Sequence, residues 1–341
     1  MGRFILRRLL QGIPTFFGIT VIAFLIMLTA PGDPITLITF APRRDPKSIE
    51  SMRRQLGLDQ PPLTQYIYWL VGNDWAQIDT DGDGTGDTYG TRQGLLRGDL
   101  GQSIKYKQPV MKLITERIPA TLQLTFTALV IGYSLGVLLG VLAAVYHKTL
   151  LDSIIRIITV VGNAVPAFWL GLILIIIFSV KLNLLPFGRM RDIADRGGMD
   201  IGETIKHMIL PVFVFSLGTI AFVSRFMRTE LLEVLTQDYI RTARAKGLGN
   251  SVVWWKHATR NALIPVATFI GPAIGTLLSG AVIVEQVFDW PGLGRLVVNA
   301  VFQRDYPLVM GSVVVASVLF ILGVILSDVF YLLLDPRIRL K

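Results

Sequence analysis

The residues best suited to chemistry lie in an acidic stretch near position 80, where aspartates alternate with glycine and threonine. Their spacing reproduces positions 1, 3, 5, 7 and 9 of an EF-hand loop, which supply oxygen ligands to calcium, and Gly84 stands at position 6, where the loop turns sharply. Position 12 is Gly90 instead of the bidentate glutamate, so we expect weak affinity. The alternative is a flexible acidic turn. The predicted calcium ligands are Asp79, Asp81, Asp83, Thr85 and Asp87.

Residues for other kinds of chemistry are scarce. The chain has no cysteine, which excludes a disulfide framework, a thiolate metal site and a cysteine nucleophile, and its three histidines are too scattered for a zinc cage. Ser134 and His207 leave an intramembrane serine protease as the enzyme alternative, but a serine in an apolar helix commonly bonds back to its own backbone. We therefore expect no catalytic residues.

The composition is that of a membrane protein. Hydrophobic residues make up 52% of the 341 residues and charged residues only 17%. Because about 20 apolar residues cross a bilayer as a helix, the sequence predicts an all-α polytopic protein. The N-terminal apolar run is long for a signal peptide, so we interpret it as a retained first span. The six predicted spans are 10–30, 119–146, 155–180, 207–229, 262–285 and 308–334.

Arginine and lysine flank these spans in the pattern of the positive-inside rule. The rule places both termini and the loop 231–261 in the cytoplasm, and it places the segment between the first two spans outside. The net charge of +9 is therefore explained by membrane flanks and does not require nucleic acid as a partner. We divide the chain into an N-terminal tail with the first span (1–33), an extracytoplasmic segment (34–118) and a five-span core (119–341).

The predicted spans are almost free of charge. There is no Asp, Glu, Lys or Arg in 119–146, 157–180, 208–224, 261–284 or 306–327. Ion-driven carriers place ionisable groups at mid-membrane, and a passive channel would need a charged ring or a carbonyl filter, which the sequence lacks. The driving force is therefore expected from outside the membrane. Small residues spaced for close helix packing occur at Gly132, Gly136, Gly140, Gly271, Gly275 and Gly280.

The cytoplasmic loop 231–261 is polar between two apolar spans, with apolar residues at helical spacing. We predict one helix over 230–246, with Leu232, Leu235, Tyr239 and Ala243 on one face. Gly247 suits the left-handed position that ends a helix, and Leu248 suits the hydrophobic contact beyond it. Ser251 is predicted to cap a second short helix, and Pro265 to open the fifth span. The apolar residues and adjacent tryptophans favour a protein interface over a solvated hairpin.

Residues 238–247 and 260–265 resemble the EAA loop of ABC-transporter permeases, most closely the B-type subunit of the dipeptide/oligopeptide/nickel subfamily. Further blocks in the order of that subunit cover nearly the whole chain. They are Pro31-Gly-Asp-Pro34, Leu56-Gly-Leu-Asp59, Gly98-Asp-Leu-Gly101, Trp290-Pro-Gly-Leu-Gly294, Arg304-Asp-Tyr-Pro307 and Asp335-Pro-Arg-Ile-Arg339. One departure is Arg241-Thr-Ala243, where the generic motif has an acidic residue and two alanines. The peptide subgroup shares it.

The resemblance implies a type I ABC importer permease in a prokaryotic inner membrane, importing di- or oligopeptides, with nickel chelates or oligosaccharides as alternatives. It implies as partners a second permease subunit, one or two cytoplasmic ATPase subunits that bind ATP and magnesium, and an extracytoplasmic substrate-binding protein. The chain itself would be non-catalytic and, calcium apart, would hold no cofactor. The implied ATPase-coupling residues are Asp238, Tyr239, Arg241, Thr242, Ala243, Ala245, Lys246, Gly247 and Leu248.

Residues 72–93, which contain the acidic stretch, have no counterpart in the subfamily pattern and are interpreted as an insertion. We expect a peptide spanning 74–95 to bind calcium, with its clustered carboxylates as the ligands. Calorimetric titration of that peptide measures the affinity. No binding at millimolar calcium would count against the site.

Overall fold

The computed structural model of the chain describes residues 2–29, 46–55, 57–80, 82–190, 201–276 and 281–334. Most of these residues are helical, as the apolar sequence predicts. The helices are α1 (Gly2–Thr29), α2 (Pro46–Gln55), α3 (Pro62–Val71), α4 (Val110–Val145), α5 (Leu150–Ala164), α6 (Ala167–Leu174), α7 (Ile201–Val234), α8 (Asp238–Ala245), α9 (Asn250–Val252), α10 (Thr259–Ala267), α11 (Ile270–Thr276), α12 (Val282–Val287), α13 (Leu293–Phe302) and α14 (Tyr306–Leu334). A 3₁₀ turn covers Leu95–Arg97, and π-helical segments cover Ile175–Lys181 and Val253–Ala258.

Four of the described helices are long and apolar enough to cross a membrane. They are Ile5–Thr29, Val110–Val145, Ile201–Val234 and Tyr306–Val329. They confirm the first, second, fourth and sixth predicted spans as long apolar helices. Counting one bent pair of helices as a single span raises the number to five within the described residues.

The third predicted span, 155–180, is that bent pair, which corrects the prediction of a single helix there. Leu150–Ala164 and Ala167–Lys181 meet at an angle of 101°. Val165 has extended backbone angles, because the ring of Pro166 disfavours a helical conformation in the residue before it. A proline within an apolar run therefore turned the chain here.

The fifth predicted span, 262–285, is not a continuous helix in the described residues, which is a second correction. It is divided among α10, α11 and α12, and residues 277–280 lie outside the described part. Pro265 lies inside α10 and does not open the span. Its ring removes an amide donor, and the turn after α10 is tightened by amides of Thr268 and Phe269 bonding three residues back.

The chain forms two compact units, which are described separately. The first comprises Met1–Arg117 and Leu296–Val318. In it, Tyr66 of α3 packs edge to face on Phe24 of α1, and its hydroxyl lies 3.0 Å from that of Thr20. The fully buried Asp305 accepts the amides of Ile104 and Lys105 at 3.1 Å and caps the start of α14 through the amide of Leu308.

The predicted insertion 72–93 belongs to the first unit, and its two ends lie next to each other. Asn73 and Arg92 exchange two hydrogen bonds of 3.0 Å, and Arg97 pairs with Asp74. The hydrogen bond from Arg97 lowers the pKa of Asp74 below its ordinary value. Between these ends, β1 (Gln77–Ile78) and β2 (Thr88–Tyr89) form an antiparallel hairpin. An insertion with adjacent ends disturbs the surrounding fold least.

The second unit comprises Ile118–Arg295 and Leu319–Lys341. Its centre is the contact between α4 and α7, which we call the glycine seam. A Cβ atom on Gly132, Gly136 or Gly140 would lie 2.7–2.8 Å from the Cβ of Thr219, Val223 or Met227, respectively. Glycine at every fourth position therefore lets the two backbones approach closely, as predicted for these three residues.

A buried carboxylate organises the segment after the fifth predicted span. Glu285 is fully buried and accepts hydrogen bonds from Thr121 (2.8 Å) and from the amide of Arg295 (2.9 Å) in the first turn of α13. The Trp290 indole donates to the carbonyl of Ala120 at 2.9 Å. The block Trp290-Pro-Gly-Leu-Gly294 therefore wraps the carboxylate and presents helix amides to it, which the negative charge favours.

The glycine seam predicts a contrast between two identical substitutions. Gly136→Ala places a methyl group against Val223, and overpacking of this kind costs about 1–3 kcal/mol. Gly218→Ala is the matched control, because the nearest atom to its new Cβ is 3.8 Å away. We expect the first variant alone to lower the thermal unfolding midpoint in detergent. Equal midpoints for both variants would contradict the packing role of the seam.

Candidate functional site

The candidate site is the polar loop that follows α7, and its first half is broken by a turn. α7 continues to Val234, a turn covers 235–237, and α8 begins at Asp238. The predicted single helix over 230–246 was therefore wrong. In the turn, the amide of Thr236 bonds to Glu233 and that of Gln237 to Val234, while Gln237 is extended. The helical spacing of the apolar residues continues across the turn, so periodicity did not reveal it.

The end of α8 has the predicted geometry. Gly247 has a φ of +78°, a left-handed conformation that side chains disfavour. Its amide bonds to the carbonyl of Arg244 at 2.9 Å, and the amide of Leu248 bonds back to Ala243 at 3.4 Å. These two bonds form the Schellman motif that ends helices at a glycine. The position of the glycine in the sequence was sufficient to predict it.

The inner face of α8 packs onto the membrane helices. Ile240 is fully buried and Ala243 nearly so, in a cluster with Met227 and Leu231 of α7 and with Ala262 of α10. Of the face predicted from spacing, Ala243 is buried, and Leu232 and Leu235 pack at the edge of the cluster. Tyr239 is exposed instead, which corrects that prediction. The break before α8 rotated the buried face by one residue, to Ile240.

The outer face of α8 is polar, basic and exposed. Arg241 and Arg244 project from it, and Lys246 follows at its end. Arg241 lies 3.4 Å from Asp238, an exposed pair of little energetic value. The hydroxyl of Tyr239 accepts a hydrogen bond of 2.8 Å from Asn261. Asn261 lies in the second half of the loop, residues 249–261, which we call the returning limb. The exposed members of the predicted coupling set are Asp238, Tyr239, Arg241, Thr242, Ala245, Lys246, Gly247 and Leu248.

The prediction that Ser251 caps the second short helix was wrong. Gly249, not Ser251, occupies the N-cap position of α9, and no side chain caps that helix. α9 continues into the π-helical Val253–Ala258 and then α10. Val253 and Ala258 join the cluster that holds α8, whereas Trp255 is 46% exposed. The apolar side of the returning limb therefore packs in the same cluster as α8 and stabilises it.

An ionic cluster that the sequence did not reveal fixes the base of the loop. Asp152 of α5 is buried and accepts hydrogen bonds of 2.8 and 2.9 Å from Arg228 near the end of α7. Arg156 lies 3.3 Å from the same carboxylate, and His147 accepts a hydrogen bond from Arg228. Bidentate pairing of this kind is strong when the carboxylate is buried. The nearest sequence signal was the spacing of Asp152 and Arg156 by one helical turn.

The predicted calcium ligands lie in the loop between β1 and β2, except that Asp81 is outside the described residues. Asp79 accepts the amides of Gly82 and Gly84. Asp83 accepts from Thr85, and Asp87 accepts the amide and hydroxyl of Thr80. In the described part of the chain, no three His, Cys, Asp or Glu residues form a group that could hold a metal ion. The calcium site stays a prediction.

Ser134 and His207, the residues of the protease alternative, lie on different helices and have separate surroundings. Ser134 lies on an exposed face of α4. The buried His207 hydrogen-bonds through its ring to the carbonyl of Gly188 at 2.7 Å. That contact gives the histidine a role in holding the chain between the third and fourth predicted spans.

Comparison with known proteins identifies the family of the chain. Residues 136–340 match the family described as binding-protein-dependent transport system inner membrane component. Residues 1–125 match the N-terminal family of such membrane components. One solved relative, the inward-facing MetNI methionine ABC transporter, aligns at a TM-score of 0.52 over 66% of this chain and 97% of that chain. At 19% identity it supports the fold alone.

Curated relatives align over the full length. The oligopeptide transport system permease protein AppB of Bacillus subtilis (strain 168) is 40% identical over 99% of this chain and 100% of its own. The dipeptide transport system permease protein DppB of Escherichia coli (strain K12) is 38% identical over 100% of both chains. The glutathione transport system permease protein GsiC of Escherichia coli O6:H1 is 38% identical over 100% of both. The chain therefore belongs to the family of binding-protein-dependent transport system inner membrane components, the permease subunits of ABC transporters.

Proposed function

We propose that this permease imports di- and oligopeptides and forms one half of the translocation pathway, with a second permease subunit as the other half. The peptide cargo is supported by full-length relatives whose names specify oligopeptides, dipeptides and glutathione. The uncharged spans suit a pathway that accepts many solutes, since selection then falls to an external binding protein. Nickel chelates and oligosaccharides are the competing cargoes.

The observation that carries the mechanism is the two-sided packing of α8. One side, Ile240 and Ala243, is buried against the inner ends of the membrane helices. The other presents Arg241, Arg244 and Lys246 to solvent, next to the left-handed glycine that ends the helix. We propose that this outer side, residues 238–248, docks in a cleft of a cytoplasmic ATPase subunit. The complementary surface of that cleft is acidic or rich in carbonyl oxygens.

The chain's part in the transport cycle follows from that packing. Binding of ATP and magnesium by the partner subunits draws the two ATPases together and displaces α8. Because Ile240 and Ala243 lie in one buried cluster with Met227 and Leu231, the displacement reaches α7 through that cluster. The spans then open outward to receive substrate from the binding protein. The chain performs no catalysis in this scheme.

The same proposal fixes the orientation. α8 has to face the ATPase, so the loop 231–261 is cytoplasmic in a prokaryotic inner membrane. The basic residues beside the first span, including Arg7 and Arg8, put the N-terminus on that side, and the C-terminus follows.

Reconstitution tests the cargo. The chain would be assembled in vesicles with its partner permease, ATPases and binding protein, and ATP hydrolysis would be measured with each solute inside and outside. We expect di- and oligopeptides, and not nickel chelates or oligosaccharides, to stimulate hydrolysis several-fold. Stimulation by a sugar or nickel chelate alone would overturn the peptide assignment.

Substitution of Gly247 tests the coupling site. Gly247→Val forces a β-branched residue into a left-handed conformation and distorts the end of α8. We expect peptide uptake to fall about tenfold or more, since the docking surface is misplaced, while membrane insertion is retained. Uptake and substrate-stimulated ATP hydrolysis are measured in the same vesicles.

Gly249→Val is the matched control. A Cβ atom at either glycine meets no atom within 4 Å, but only Gly247 has a positive φ. We expect the control to transport at near the original rate. Normal uptake by the Gly247 variant would refute the coupling assignment.

A further inference from the structure

The first unit contains a cavity of about 540 Å³ to which the proposed transport function gives no role. Phe24 and Met27 from the last two turns of the apolar span Ile5–Thr29 line one part of it. Pro307 and Met310 from the first turns of the span Tyr306–Val329 line another. Because two spans end at this cavity, it lies at the level where the bilayer meets water.

The polar side of the cavity is basic. Arg92 and Lys107 both line it. In the described part of the chain, no hydrogen bond or ion pair engages the guanidinium of Arg92, and burial lowers its pKa below the ordinary value. A partly desolvated cation without a direct partner favours an anionic ligand, and a guanidinium matches the geometry of phosphate.

The acid whose charge acts on this cation, Asp99, already accepts hydrogen bonds from the backbone. Asp99 also lines the cavity and raises the pKa of Arg92 through its charge. Its two oxygens accept the backbone amides of Gln93 at 3.1 Å and Gly101 at 2.8 Å. The carboxylate therefore stabilises the loop through these two hydrogen bonds. It attracts Arg92 by its charge, but an anionic ligand could still contact the guanidinium directly.

Aromatic residues complete the wall. Tyr68, Trp69 and Tyr306 also line the cavity. Tyrosine and tryptophan concentrate at the headgroup level of membranes, where one end of the ring is apolar and the other polar. The cavity therefore combines apolar span ends, aromatic rings and basic side chains, the three kinds of group that suit the acyl chain, the interfacial level and the phosphate of a phospholipid.

We propose that this cavity binds the phosphate headgroup of an anionic phospholipid, held by Arg92 and Lys107, with the upper acyl chain against Phe24 and Met27. The bound lipid fastens the segment between the first two spans to the membrane surface. Basic pockets beside membrane helices bind anionic headgroups in the same physical manner. The inference is independent of the cargo, because the cavity lies wholly within one unit of this chain.

The test uses the assembled transporter, purified in detergent and stripped of lipid. Thermal unfolding of this chain is followed while phosphatidylglycerol or phosphatidylcholine is added. We expect phosphatidylglycerol alone to raise the unfolding midpoint in a saturable manner, because a ligand of the native state stabilises it. Arg92→Gln is expected to weaken that effect about tenfold or more, since a charge-assisted hydrogen bond is lost, and Arg92→Lys to retain most of it.

Lys112→Gln is the matched control, because Lys112 is also basic but is exposed and lies outside the cavity, beside Glu116. It should leave the lipid response unchanged. Three results would overturn the proposal. They are equal stabilisation by both lipids, an unaltered response in Arg92→Gln, and the same protection by inorganic phosphate or a short peptide in place of lipid.

Discussion

The contact on which the proposed mechanism depends is the burial of Ile240 and Ala243 in one cluster with Met227 and Leu231 of α7. An isolated helix of eight residues is unstable in water, so α8 exists because this contact holds it. The same contact makes the helix a lever, since close-packed side chains transmit displacement with little loss. The described membrane helices carry no Asp, Glu, Lys or Arg at mid-span, and in the proposed mechanism energy enters through the polar loop.

Two acids among the described residues are fully buried at the ends of membrane helices, and each has defined structural partners. Glu285 caps α13 and holds Thr121, while Asp305 caps α14 and holds the loop at 104–105. A buried carboxylate without such donors would cost several kcal/mol. The glycine-rich blocks that carry the family resemblance thus have a physical meaning, since the amide groups of Gly294 and its neighbours approach the carboxylate only where side chains are absent.

Two features that depend on the steric properties of glycine were predictable from the sequence, whereas a turn, a helix cap, a bend and a long-range ion pair were not. Gly247 identified the end of α8, and the spacing of Gly132, Gly136 and Gly140 identified the glycine seam, because each depends on a steric property of glycine alone. The turn at 235–237 carries no glycine or proline, and the cap at Gly249 carries no side chain. The bend at Pro166 had a local signal, but an apolar run concealed it. The partnership of Asp152 with Arg228 joins residues 76 positions apart, which no local pattern records.

The two ends of the loop differ in how firmly they are held, and that difference determines what can move. At its base, Asp152 and Arg228 tie α5 to α7, so these two helices respond to a force together. At its tip, α8 has no side-chain cap at its start, and Gly247 and Gly249 follow its end with open space around both. We infer that a partner adjusts the segment 247–249 at little cost, whereas displacement of α8 or of the base requires the packed helices to shift as one body. In the proposed mechanism, the docking surface can therefore adjust to its partner, and α5 and α7 move together within the membrane.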